Sequence, residues 1–172
     1  MNNPRVHLQT ELGKIILELY HQQAPISVAN FLRYIEEDRF IQACFYRVVR
    51  MDNQPGDEIK IEVIQGGLKD DDHPQSLSAI IHETTACTGI LHKSGTISMA
   101  RNEPGTASSE FFICIGDQPK LDFGGKRNPD GQGFAAFGGV VEGMDVVRKI
   151  HNQPEVAQYL TPVIMIQEIK LV

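Results

Sequence analysis

Short runs in which apolar and polar residues alternate recur along this chain, and they limit its fold more than any other feature. Val6 and Leu8 alternate with Arg5, His7 and Gln9, and Ile15, Leu17 and Leu19 repeat the pattern after Glu11-Leu12-Gly13. A period of two marks a strand with one buried face. Gly13 can supply the positive φ of a tight hairpin, so strands over 5–10 and 13–20 are predicted to pair antiparallel. Further strands are predicted over 45–49, 61–65, 97–99, 111–115, 134–141 and 163–172, with a bulge at Gly138-Gly139.

Only two segments carry a helical period. Pro25 suits a first helical turn, and Val28, Phe31, Leu32 and Ile35 follow at i, i+3, i+4, i+7 spacing, giving a helix that closes before Asp38. A second helix is predicted from Gly143 to Asn152, with Val146, Val147 and Ile150 as its core face and Pro154 beyond its end. Residues 51–60 read as a polar excursion, 68–96 hold little periodic signal, and 116–133 read as a long loop rich in Gly and Pro. Eight strands with two helices predict a mainly β fold: a closed eight-stranded antiparallel barrel capped by two α-helices. No repeat or linker divides residues 1–172, so one domain is expected.

Composition narrows the partners. A net charge of −6 argues mildly against nucleic acid, whose binders usually show a basic face. No run of about 18 apolar residues is present, so no membrane helix is expected. Met1 to Arg5 lack the apolar core of a signal peptide. Cys44, Cys87 and Cys114 fit neither a disulfide framework nor a zinc pattern, and Cys44 and Cys114 read as buried thiols. A reduced, cytoplasmic setting is expected. Asp70-Asp71-Asp72-His73 reads as a solvated acidic loop, and His82 and His92 as surface or loop residues, so no metal is expected.

The chain shows no phosphate-binding loop, dinucleotide fingerprint or nucleophile elbow. A reaction needing neither nucleophile nor cofactor suits it. Rotation about an X-Pro bond is one, opposed by a resonance barrier of about 18–20 kcal/mol. It calls for an apolar slot, a fixed donor near the imide nitrogen and a hold on the flanking backbone. Arg47 suits the donor role, and Val63, Phe112, Leu121 and Phe134 could build the slot.

The chain resembles the cyclophilin family of peptidyl-prolyl isomerases. The resemblance rests on Ala24-Pro25, Asn30-Phe31, Phe45-Tyr46-Arg47, Gln65-Gly66-Gly67, Ser98-Met99-Ala100-Arg101, Ser108 to Cys114, Leu121-Asp122 and Phe137-Gly138, with Val141 to Val147 behind them. Arg101 and Gly131-Gln132-Gly133-Phe134 look like the bacterial branch. The resemblance implies a cofactor-free isomerase acting on proline-containing polypeptides. Arg47 would be the catalytic arginine, Gln65 would bind the substrate backbone and Phe112 would floor the proline pocket. Ala100 and Arg101 would meet the peptide mostly through backbone groups, and Leu121 would close the side.

This chain departs from the family pattern in places. Arg47 and Gln65 lie 18 positions apart, about ten more than is usual in the family. Glu62-Val63 replaces a Phe-Met pair, which predicts altered groove electrostatics. Glu110 replaces a Gln and brings an acid within reach of Arg47. Lys120 stands at the drug-contacting tryptophan, so weak cyclosporin binding is expected, and Phe134 stands at a groove histidine. A monomer is expected. Glu62 and the insertion favour a second reading, a proline-peptide binding module with little turnover.

Overall fold

The computed structural model describes residues 2–172. Strands β1 (Arg5–Thr10) and β2 (Gly13–Leu19) form the predicted hairpin, with Thr10 opposite Gly13. Gly13 has φ +134°, and a Cβ there would stand 2.7 Å from Val146 Cγ2. The turn thus needs glycine both for its backbone and for a helix that packs on it.

That order of packing recurs around the molecule. Helix α1 (Pro25–Glu36) buries Val28, Phe31 and Ile35 of the predicted stripe, with Leu32 partly buried and Tyr34 buried in addition. No neighbouring side chain caps its start. Glu83, far along the chain, accepts from the Ile26 and Ser27 amides and the Ser27 hydroxyl. The strands that follow are β3 (Cys44–Val49), β4 (Val63–Gly67), β5 (Thr96–Met99), β6 (Phe111–Cys114) and β7 (Ala135–Glu142). A one-turn helix, α2 (Thr85–Thr88), lies within the aperiodic stretch. Helix α3 (Met144–His151) buries Val146, Val147 and Ile150. A two-residue strand, β8 (Glu155–Val156), then turns into β9 (Tyr159–Leu171).

The sheet runs β1-β2-β7-β5-β6-β4-β3-β9, and β9 pairs back onto β1, closing an eight-stranded antiparallel barrel with β8 as a short flap on β9. Its interior is filled by rings: Phe31 contacts Phe40, Phe111 and Phe137 at centroid distances of 5.3–5.5 Å, and Phe45 meets Phe111 edge-on. A second, smaller cluster of Val49, Ile61, Val63, Phe112, Cys114 and Leu121 lies apart from it. Consecutive residues on β6 thus serve opposite sides, Phe111 inside and Phe112 outside, as the strand period requires.

Three boundaries differ from expectation. Ile61 and Glu62 precede β4 rather than belonging to it. The irregularities of β7 fall at Phe137 and Val141, which the pairings skip, and so flank Gly138-Gly139. The last strand starts at Tyr159, not 163, after the unforeseen β8–β9 turn. Ala157 and Gln158 occupy that two-residue turn with φ 50° and 76°. Such turns usually announce themselves by Asn-Gly or Asp-Gly, which this one lacks.

Candidate active site

Strand β3 carries a bulge. Phe45 pairs with Gly66 and Arg47 with Gln65, leaving Tyr46 unpaired, and against β9 the register also breaks there, from Phe45–Ile164 to Arg47–Tyr159. A regular strand would send Tyr46 and Arg47 to opposite faces. The extra residue re-aims them, and both line one groove of about 330 Å³ on the outer wall. Ile61, Val63, Gln65, Ala100, Arg101, Glu110, Phe112, Leu121 and Phe134 line it too, so the structure brings together the nine residues given a catalytic or binding role from the sequence, Ile61 not being among them.

The apolar end is built on Phe112. Phe134 stands edge-on to it at 5.2 Å, Val63 and Leu121 are buried beside it, and Ile61 joins the same cluster. Ile61 thus adds apolar surface to the slot on the side of Val63. Its backbone is clamped from outside the strand: Gln54 Nε2 donates to Ile61 O at 2.8 Å, and Ile61 N donates to Gln54 Oε1 at 3.1 Å. Glu62 faces away, its carboxylate 3.8 Å from His151 Nε2 and outside the groove lining. The expected change in groove electrostatics at Glu62 is corrected accordingly.

Beneath Phe112 lies a buried polar chain. The His92 ring is parallel to Phe112 at 5.8 Å; its Nδ1 is 2.7 Å from Asp122 Oδ1 and its Nε2 is 2.8 Å from Ser98 Oγ. His92 lies in a loop, as expected, but is 1% exposed, which corrects the surface part of that reading. Burial works to raise the Asp122 carboxyl, but the hydrogen bonds from the His92 ring and amide outweigh it and hold the group below the usual range. Ser98 is fully buried, so this chain of groups supports Phe112 and meets no substrate.

The polar end is a relay of neutral amides. Arg47 Nη1 donates to Gln65 Oε1 at 2.9 Å, while Nε and Nη2 both donate to Gln158 Oε1 at 3.0 and 2.8 Å. Gln65 Nε2 donates to the Tyr46 hydroxyl at 2.9 Å, and Tyr46 donates to Glu110 Oε1 at 2.7 Å. Burial pushes the Tyr46 phenol up, with the Glu110 charge adding to it, so it stays a neutral donor. Burial likewise lowers Arg47, which remains a cation. Glu110 does not pair with Arg47, against expectation. It accepts instead from the Leu68 and Lys69 amides, the Ser109 hydroxyl and Tyr46. A Cβ on Gly67 would fall 2.3 Å from its Oε2, so glycine makes room for the carboxylate.

Arg101 is a strut. Its guanidinium, 1% exposed as a side chain, holds both Asp130 oxygens and Gly133 O and lies 5.0 Å over the Phe134 ring. The insertion does the same on the opposite wall. No residue of 51–60 lines the groove among the described residues, yet Asn53 O accepts from Gln158 and Gln54 fixes Ile61. Tyr46, Gln54, His92, Asp122, Arg127 and Gln158 escaped the sequence reading. A signal existed only for Tyr46 and Asp122, which sit inside the quoted motifs.

The chain matches the family described as "Cyclophilin type peptidyl-prolyl cis-trans isomerase/CLD" over residues 5–171. It is 35% identical over 153 residues to a peptidyl-prolyl cis-trans isomerase of Acinetobacter baylyi, covering 88% of this chain and 74% of that one. It is 36% identical over 146 residues to isomerase cyp18 of Streptomyces antibioticus, covering 84% and 81%. Isomerase B of Escherichia coli is 33% identical, with 84% and 82% covered. A crystal structure of a cyclophilin type isomerase from Cryptosporidium parvum superposes with a TM-score of 0.76 at 21% identity, over 99% of this chain and 98% of that one. The same protein has been crystallised in the presence of the dipeptide Ala-Pro.

Proposed function

The chain belongs to the cyclophilin type peptidyl-prolyl cis-trans isomerases, and we propose that Arg47, Gln65 and Phe112 carry out the isomerisation in the groove described above. One observation carries this reading: a cation held only by neutral amides stands beside an apolar slot in one groove. The proline ring fits against Phe112, Val63, Ile61, Leu121 and Phe134. Amide resonance supplies the barrier of about 18–20 kcal/mol. As the bond twists, the imide nitrogen pyramidalises and gains a lone pair that Arg47 can meet. Two amides aim the guanidinium beforehand, so little reorganisation is needed when the charge shifts. Gln65 spends one N–H on Tyr46 and keeps the other for a substrate carbonyl. Ala100, Arg101 and Glu110 form the remaining wall, the last as a fixed anchor.

The test is NMR exchange or protease-coupled kinetics on an Ala-Pro peptide. Acceleration is expected, with Arg47→Ala lowering kcat/KM by roughly 10²–10³, the range for loss of one preorganised donor. Full activity in that variant overturns the role of Arg47, and no acceleration by folded protein overturns the enzyme reading. The binding-module reading drew on Glu62, which lies against His151 rather than in the groove. We further propose a monomer that binds cyclosporin weakly, because exposed Lys120 offers no ring at that contact.

A further inference from the structure

Arg127 and Asn128 lie side by side in the groove lining. Arg127 is positioned by the insertion: its Nη1 donates to Ile59 O at 2.7 Å and Gln54 Oε1 at 3.1 Å, with Asp57 Oδ2 3.5 Å away. All these bonds use one nitrogen. Nε and Nη2 have no acceptor among the described residues, and the side chain is 15% exposed. Asn128 Nδ2 is buried and also lacks a partner. A buried donor without an acceptor is costly and so is rarely left that way.

The charge balance points the same way. Arg47 is bonded to neutral amides alone, and the Arg127 charge adds to the burial that lowers its pKa. Two carboxylates line the groove. Glu110 is saturated by donors leading toward the 68–71 segment, and Asp71 is exposed in that segment. Asp57, the one carboxylate near Arg127, is half in water. The wall shared by Arg47, Arg127 and Asn128 is therefore rich in donors, and its positive charge is balanced at close range by Asp57, a carboxylate that pairs with Nη1 and leaves the Nε and Nη2 edge open.

We propose that Arg127 and Asn128 form an acceptor-reading subsite that makes the enzyme favour X-Pro segments carrying an acidic side chain next to the proline. The carboxylate takes the open Nε and Nη2 edge of Arg127, a fork suited to two parallel bonds, and the Asn128 amide. The ten-residue excursion at 51–60 then acts as a brace for a specificity residue, since Gln54 and Ile59 fix the guanidinium from behind.

This inference rests on the isomerase reading, and the test separates the two. Isomerisation is followed by NMR exchange on short peptides with Glu, Gln or Ala immediately before or after the proline. At low salt, Glu at one of these positions should raise kcat/KM over Gln by roughly twofold to fivefold, as for an ion pair still partly in water. Added NaCl should erase the preference as the screening length contracts. Arg127→Gln should bring the Glu-to-Gln ratio to about one, and Arg127→Lys should restore part of it. Equal rates for Glu and Gln peptides at both positions overturn the subsite and leave the isomerase intact, as does a preference that survives in Arg127→Gln. The salt series on the unaltered protein decides the matter if that variant is poorly folded. No turnover of any peptide overturns both readings.

Discussion

The Glu110 carboxylate accepts four hydrogen bonds, two from backbone amides and two from hydroxyls. A Gln at this position has one oxygen and would turn an N–H₂ group against donors. Glu110→Gln should therefore cost about 1–3 kcal/mol, although the amide is the commoner residue in the family pattern. A thermal melt checks this, and a Tm unchanged within about 1 °C would contradict it. Tyr46→Phe removes only the link between Glu110 and Gln65. It should cost about 1 kcal/mol of stability and lower kcat/KM several-fold, because Glu110 loses one donor and Gln65 the acceptor that holds its amide. Phe-Tyr-Arg and Gln-Gly-Gly made Arg47 and Gln65 legible as residues. The other partner of Arg47, Gln158, was not, because its position depends on a turn with no glycine or asparagine to mark it.

At the scale of elements, the alternating strands and both longer helices were readable because their periods are local properties. What connects them was harder to read. The insertion looks like a polar loop, yet Gln54 is 2% exposed and satisfies Arg50 O and both backbone groups of Ile61. Nothing in a stretch of Asn, Gln, Pro and Gly tells which amide will point inward. Gln54→Ala would leave buried Ile61 groups unpaired and should destabilise the protein by about 1–3 kcal/mol while raising KM, since Ile61 lines the slot. Chemical denaturation and steady-state kinetics read the two effects separately. Gly13→Ala tests the hairpin in the same way: the strained φ and the 2.7 Å approach to Val146 predict a loss of more than about 1 kcal/mol with little change in activity.

For the whole molecule, acid stability follows from the carboxyls that the fold holds low. Asp130 is lowered by its hydrogen bonds from Arg101, and Asp122 by those from His92. A group depressed in the folded state contributes stability above its unfolded value, near pH 4, and loses it as pH falls through the folded value. Melting temperature should thus be nearly flat from pH 8 to about 5 and drop below about 4, with a shallower acid slope in Asp122→Asn. The closed barrel itself could be inferred from the count of strands, whereas the polar chain behind Phe112 could not, because Asp122 lies 30 residues from His92 and the two meet only in the fold. The two apolar clusters sit on opposite sides of the wall formed by β3, β4 and β6. That arrangement separates inheritance from adaptation. Substitutions on the outer face can retune which peptides are handled without loosening the ring-packed interior, so lineages built on this barrel are free to diversify their clients while the architecture stays the same.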